Sequence, residues 1–261
     1  WALNMDVPPD EFWETDNGRV VDPFRPVIEP EGFTTATEMR DNRALALESF
    51  ARTIRDSNMF VFTLGLTESW WHLNEAGATD YEYPMCPGTA AGSFNPTRHH
   101  FENQEYETIR RNLEAAISAM RTANPELKIM LTVSPVPLTA TNSGRHVLTA
   151  TMESKSILRA VAGSIARAHD FVDYFPSYEI INAPPFRGSF FEPNMRSVSP
   201  HGVNHVMGVF FAGLDQRAQT ESAKQRQISA APVRKSAQDL ICEEEMLSAF
   251  GPAGKMAEAG K

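Results

Sequence analysis

The chain of 261 residues is poor in the features that assign a function at sight. It has only 2 Cys, at positions 86 and 242, in unrelated surroundings. That is too few and too far apart for a disulfide framework or a metal knuckle. Cys86 and Cys242 read as idle thiols in a reducing compartment, which leans toward a cytoplasmic location. Basic residues number 24 against 33 acidic, a net charge of −9. No basic stripe is present, and the densest cluster (Arg217, Lys224, Arg226, Arg234, Lys235) sits in a polar tail. Nucleic acid is therefore not an expected partner. The longest apolar runs, such as residues 59–66, fall short of the ~20 residues a bilayer span needs, so no membrane span is expected. There is no G-x-S-x-G elbow, P-loop, G-x-G-x-x-G or H-E-x-x-H string, and no internal repeat. What remains is ordinary: 42% hydrophobic and 22% charged residues, which excludes collagen-like, coiled-coil and wholly disordered chains. The length suits one large domain or two small ones.

Residues 1–35 hold Pro8, Pro9, Pro23, Pro26 and Pro30 without an apolar period and read as an irregular lead-in. The opening Trp1-Ala-Leu-Asn-Met5 has neither an initiator Met nor a secretory leader, and suggests a chain entered in mid-domain. From Thr34/Thr35 to about residue 56, the stripe Leu45, Leu47, Phe50, Ala51 and Ile54 predicts a helix. Met59-Phe-Val-Phe-Thr-Leu64, closed by Gly65, predicts a buried parallel strand. Residues 66–103 are too long for a plain loop and read as functional or as an excursion with its own packing. A helix is predicted over 104–123, stopped by Asn124-Pro125, and a second strand over 128–133. A helix over 153–169 follows, with Ile157, Leu158, Val161 and Ile165 inward. Short strands are predicted at 171–174 and 178–181, and a last helix over 199–214, capped by Ser199-Pro200. The alternation implies an α/β fold with a parallel sheet in three layers, α/β/α, over residues 36–214. Residues 215–261 turn polar and read as a flexible tail outside that fold.

In an open α/β sheet, ligands bind beyond the carboxyl ends of the strands. Three segments belong there: Gly65-Leu-Thr-Glu-Ser-Trp70, Ser134-Pro-Val-Pro-Leu138, and residues 182–200. Gly65, Thr67, Glu68 and Ser134 are thus candidate substrate-binding residues. The backbone N–H of Gly65, unshielded by a Cβ, suits an oxyanion. Each also has a plain structural reading: Gly65 as a turn, Ser134-Pro135 as a strand stop, Asn194 as a cap. Ser134 is a poor nucleophile candidate because Pro135 removes the next backbone N–H. His146 is a candidate general base, its ordinary pKa being near neutrality, or else a solvated loop residue. The adjacent His99-His100 cannot readily share one metal, and His201 and His205, spaced i, i+4, lack a third ligand. No metal and no cofactor is expected.

Five strings carry a family resemblance. They are Thr63-Leu-Gly-Leu-Thr-Glu68, Tyr83-Pro-Met-Cys-Pro-Gly-Thr89, Leu131-Thr-Val-Ser-Pro-Val-Pro-Leu138, Ser154-Lys-Ser-Ile-Leu-Arg-Ala-Val161 and Tyr174-Phe-Pro-Ser-Tyr-Glu-Ile180. In this order they resemble the GSCFA-domain family, an SGNH/GDSL-like group of bacterial proteins. The resemblance implies an SGNH-like fold and an ester-hydrolase or O-acyltransferase chemistry on an acylated carbohydrate. In the wider group a Ser of the first motif attacks, a His is the base, and a Gly and an Asn bind the oxyanion. The departures are severe. No Gly-Ser-Cys-Phe-Ala string occurs in the chain, so the serine and an N-terminal strand are expected upstream. Gly65 corresponds to the family-group glycine, but the usual Asn is replaced within Leu66-Thr67. The D-x-x-H motif falls on Asn194-Met-Arg-Ser197, which lacks both acid and base. His146 and His205 are the nearest substitutes. A Ser without a base is a weak nucleophile, so the chain as given is expected to be inactive as a serine esterase. The alternative is a non-catalytic carbohydrate-binding or structural protein. Its aromatics Trp70, Trp71, Tyr81 and Tyr83 would then face solvent and stack on sugars, or else simply pack the long segment. A weaker alternative is a protein–protein scaffold that works through its acidic surface.

Overall fold

The computed structural model describes residues 1–3 and 8–229, with side chains through residue 215. Contacts divide the chain into two units, Trp1–Val206 and Met207–Lys261. The first contains every strand described below.

Its centre is a parallel sheet of β3 (Met59–Leu64), β7 (Lys128–Val133) and β8 (Val172–Phe175), in the order β3-β7-β8. β7 lies between its neighbours and is buried on both faces from Ile129 to Val133, which a continuous run of Ile, Met, Leu, Thr and Val requires. Three helices contribute to the same core. α1 (Ala36–Asp56) supplies Ile54, α2 (Tyr106–Ala123) supplies Leu113, Ile117 and Met120, and α3 (Val147–Ala168) supplies Leu158, Val161, Ala162 and Ile165. The fold is α/β with a parallel sheet, as the alternation of patterns implied.

α1 begins at a reciprocal cap. Thr35 Oγ1 accepts from Glu38 N–H at 3.1 Å, and the Glu38 carboxylate accepts from Thr34 N–H at 2.9 Å. Its buried face is Met39, Arg43, Ala51 and Ile54, whereas Leu45 and Phe50 are exposed. The expected stripe is therefore rotated, because a buried Arg43 takes the place of a leucine on the inner face. Arg43 donates to Asp22 at 2.8 Å and to the carbonyls of Pro9 and Glu11 at 2.9 and 3.0 Å. That network ties down the lead-in, within which β1 (Trp13–Glu14) and β2 (Val20–Val21) pair antiparallel.

Residues 66–103 form an excursion with its own packing, a three-stranded antiparallel sheet. β4 (Glu68–Leu73) is central, between β5 (Thr79–Tyr83) and β6 (His99–Asn103). Tyr83 and Ala91 join Trp13 and Val21 in a second small core. Residues 178–181, expected as a strand, are instead helical within α4 (Ser177–Asn182). Pro176 breaks the ladder after β8. The Ser177 hydroxyl then bonds Val133 O at 2.9 Å, which turns the chain back over the end of β7. α5 (Pro200–Ser229) opens at Ser199, whose Oγ accepts from Gly202 N–H at 3.2 Å. Its helical residues run past 214 into the segment expected to be a tail, while residues 230–261 lie outside the described residues.

β3 is the outlier of the sheet. Among the described residues its outer edge is unpaired, and Val61 and Phe62 are 49% and 38% exposed. An uncharged, apolar edge strand is a template for further pairing. The chain should therefore self-associate with rising concentration in sedimentation velocity. Val61→Lys, which places a charge on that edge, should shift it toward monomer; an unchanged distribution would clear β3 of the association.

Candidate functional site

The in-register pairing of β3 with β7 runs from Met59↔Lys128 to Leu64↔Val133 and brings the two strand ends level. Ser134 N–H extends the ladder by donating to Leu64 O at 2.9 Å, so Ser134 stands beside the Gly65 turn. Gly65 is exposed and does not have a positive φ. A Cβ built on it would meet nothing within 4 Å. Neither backbone strain nor packing therefore requires glycine here, and the bare Cα leaves room for close approach. Neither Gly65 N–H nor Leu66 N–H donates to a backbone acceptor among the described residues.

The neighbouring polar groups are already engaged with one another. Thr67 is buried. Its N–H donates to Ser154 Oγ at 3.0 Å and its hydroxyl to Asn103 Oδ1 at 2.6 Å. Glu68 accepts from the Thr141 hydroxyl, which in turn shares a 2.7 Å bond with Ser143 Oγ. The loop after β7 is pinned to β4 in this way. Ser134 Oγ accepts from Val136 N–H at 3.3 Å, a local turn contact. Next to these groups, Phe101, Asn103, Gln104, Ser143, Arg145 and Glu153 line a polar groove of about 320 Å³.

Two residues of the site carried no functional reading in the sequence. Ser154 and Lys155 of α3 are each 1% exposed and both face the Gly65 turn. Lys155 Nζ donates to Gly65 O at 2.8 Å. Burial pulls its ammonium down from 10.5 to about 8. The signal was available: Ser154 and Lys155 lie four and three residues before Leu158, on the stripe that goes inward. A polar pair on a buried stripe asks for partners.

The remaining candidates have local partners. His146 is the exposed N-cap of α3, and its Nδ1 accepts from Leu148 N–H at 3.3 Å. A neutral imidazole has a single acceptor nitrogen, so this capping role occupies the lone pair a general base would need. Asn194 Oδ1 accepts from the N–H groups of Arg196 and Ser197, both at 2.9 Å, and its Nδ2 donates to Ser197 Oγ at 3.0 Å. The two exposed residues thus close a small turn on themselves. His201 and His205 pack against Phe190, the latter stacked at 4.8 Å. His99 is buried and His100 exposed on β6, and burial holds the His99 imidazole below its ordinary pKa. Among the described residues no group of three His, Cys, Asp or Glu is placed to hold a metal ion. No described helix is long and apolar enough to cross a membrane.

Of the four aromatics open to either reading, Trp70, Tyr81 and Tyr83 pack within the protein, and half-buried Trp71 donates to Ser69 Oγ at 3.1 Å. Tyr83 is fully buried, and its hydroxyl donates to Glu11. Tyr81 stacks on His72 with ring centroids 4.5 Å apart, and Trp70 packs edge-on against Phe94. Burial and the bond to Glu11 push both tyrosine hydroxyls far above their ordinary range, so both stay protonated. Burial likewise pushes the Cys86 thiol up, away from thiolate chemistry. Cys242 lies outside the described residues.

The family model for GSCFA matches residues 7–210, which takes in the lead-in, both sheets and the start of α5. The chain belongs to the GSCFA family. No curated protein matches it, and no solved structure does. The GSCFA match covers all of the site just described, from the Gly65 turn to the Ser154-Lys155 pair.

Two substitutions separate the residues of this GSCFA site from those beside it. Gly65→Ala enters open space at a permitted φ, so stability should be unchanged or raised by up to about 1 kcal/mol. His146→Ala should cost about 0.5–1 kcal/mol through the lost cap. Urea unfolding of both variants measures this. A loss of more than 2 kcal/mol in Gly65→Ala would show that the glycine is structural.

Proposed function

We propose that this GSCFA chain forms the substrate-binding body of an ester hydrolase or O-acyltransferase that acts on an acylated carbohydrate. One observation carries the reading: a glycine at the carboxyl end of β3 whose side-chain position is empty and whose N–H donates to no backbone acceptor among the described residues, with Thr67 bonded to Asn103 of a groove of hydroxyl, amide and charged groups. Backbone N–H groups at such a position suit the oxygen of an acyl group, and a polar groove suits hydroxyl-rich sugar. Thr67, Glu68 and Ser134 serve by shaping the turn and its surroundings.

The attacking group is not among the residues gathered here. No Ser hydroxyl is hydrogen-bonded to a His among the described residues, and His146, Asn194 and Ser197 are committed to local structure. In this reading the nucleophile is the serine of the family's Gly-Ser-Cys-Phe-Ala motif, carried by a strand that adds to the free edge of β3. The open apolar edge, which ends at Gly65, supports that placement.

A second reading, carbohydrate binding without catalysis, is favoured by the closed turn at Asn194 and Ser197. The test uses the chain with and without an upstream segment bearing that motif. The chain alone should neither hydrolyse p-nitrophenyl acetate above background nor be labelled by a fluorophosphonate. With the motif present, turnover should appear and fall at least 100-fold when the motif serine becomes Ala. Equal rates for serine and alanine would end the hydrolase reading. Binding of an acetylated oligosaccharide without turnover would favour the second.

A further inference from the structure

α3 reaches the Gly65 turn through two consecutive side chains. Ser154 Oγ takes the Thr67 N–H at 3.0 Å, and Lys155 Nζ gives a hydrogen bond to the Gly65 carbonyl at 2.8 Å. The first and last residues of a three-residue turn are thus fixed by adjacent residues about 90 positions later in the chain. Both contacts are buried on the helix side, with Ser154 and Lys155 each 1% exposed.

Lysine is a costly choice for that contact. A buried ammonium is tolerated best beside a carboxylate, and among the described residues Lys155 forms no ion pair. Several carboxylates of neighbouring elements have other partners, among them Glu114 of α2, which holds His169. Glu68 of β4 holds Thr141, Glu153 of α3 holds Arg145, and Glu179 of α4 holds both Arg159 and Tyr174. Burial is the sole cause of the lowered lysine pKa. A methionine of similar length would pack in the same place without that desolvation. Lys155 therefore weakens the fold as a whole while it secures one carbonyl.

We propose that Ser154 and Lys155 are positioning residues, a clamp that fixes the Gly65–Thr67 turn so that its free N–H groups stay aimed at the ligand. The clamp's existence stands on the two hydrogen bonds; only its consequence for an acyl ligand rests on the function proposed above. The linkage has a distinctive sign. The native lysine loses its proton at about 8 and the unfolded one at 10.5. Between those values the unfolded chain binds more protons, so global stability rises with pH. The clamp moves the other way, because a neutral amine donates more weakly to the carbonyl than an ammonium does.

The experiment is amide hydrogen exchange at Thr67, whose N–H is held by Ser154 Oγ, expressed as protection relative to the intrinsic rate, from pH 6.5 to 9.5 on the full chain. Wild type should lose at least five-fold protection at this amide as pH passes about 8, while core amides of β7 hold or gain. Lys155→Met should melt at the same or a higher temperature, show at least ten-fold lower protection of the turn at pH 7, and lose the pH dependence. Ser154→Ala should lower Thr67 protection and keep the pH dependence. Turn protection that is the same in wild type and Lys155→Met, or flat with pH in wild type, would overturn the clamp. Should Lys155→Met fail to fold, the wild-type profile alone decides. Titration of wild type with an acetylated oligosaccharide separates the two proposals. The expected exchange pattern without binding leaves the clamp and ends the acyl-ligand reading; binding without the pattern does the reverse.

Discussion

The register between β3 and β7 is the constraint on which the rest depends. Six consecutive parallel pairs, Met59↔Lys128 to Leu64↔Val133, end both strands at one height, where Ser134 adds a further bond to Leu64. A slip of one residue would turn Ile129, Leu131 and Val133 to the opposite face and bury Lys128 in their place. β7 is buried on both faces from Ile129 to Val133, so it is the exposed Lys128 at its start that makes a slip costly. The level strand ends then place the Gly65 turn and the 134–143 loop side by side. The site is a by-product of sheet packing, refined by hydrogen bonds from α3 and β6.

A second constraint fixes the excursion. Arg43 and Asp22 are both buried, and the guanidinium also holds the carbonyls of Pro9 and Glu11. Glu11, drawn in by that contact, accepts from Tyr83, whose ring packs against Trp13 in the second core. A buried ion pair is weak evidence of net stability, because desolvation offsets much of its attraction. Here it specifies geometry, since one guanidinium satisfies groups from three points of the lead-in. The antiparallel sheet, and with it Glu68 and Asn103, depends on that anchoring.

The central elements were legible because their periods are strong. The run at 59–64, the run at 128–133 and the stripe Leu113, Ile117 and Met120 correspond to β3, β7 and α2 within a residue or two. The departures have physical causes. At 178–181 two strand-like residues, Tyr178 and Ile181, also fit helical spacing, and Pro176 together with the Ser177 bond to Val133 O decides for the helix. On α1 a charged residue occupies the inner face, which a hydrophobic stripe cannot reveal. At the candidate site, Gly65, Thr67, Glu68 and Ser134 were legible only as residues near the strand ends. Asn103, Thr141 and Ser143 were not, because their contacts with Thr67 and Glu68 span 36 and 73 residues or close local turns.

The polar groups around Gly65 divide into those that are spent and those that are free, and this division limits the chemistry. Thr67, Glu68, Ser154 and Ser143 have partners within the protein, which fix how these groups are oriented. Such closed networks rigidify. Among the described residues, the N–H groups of Gly65 and Leu66 donate to no backbone acceptor. Donors held rigidly and left unpaired are suited to bind developing negative charge, and they supply neither a nucleophile nor a proton acceptor. A surface of that kind lowers a barrier only when another group delivers the attack, and in the hydrolase reading proposed above that group would stand on the open side of β3.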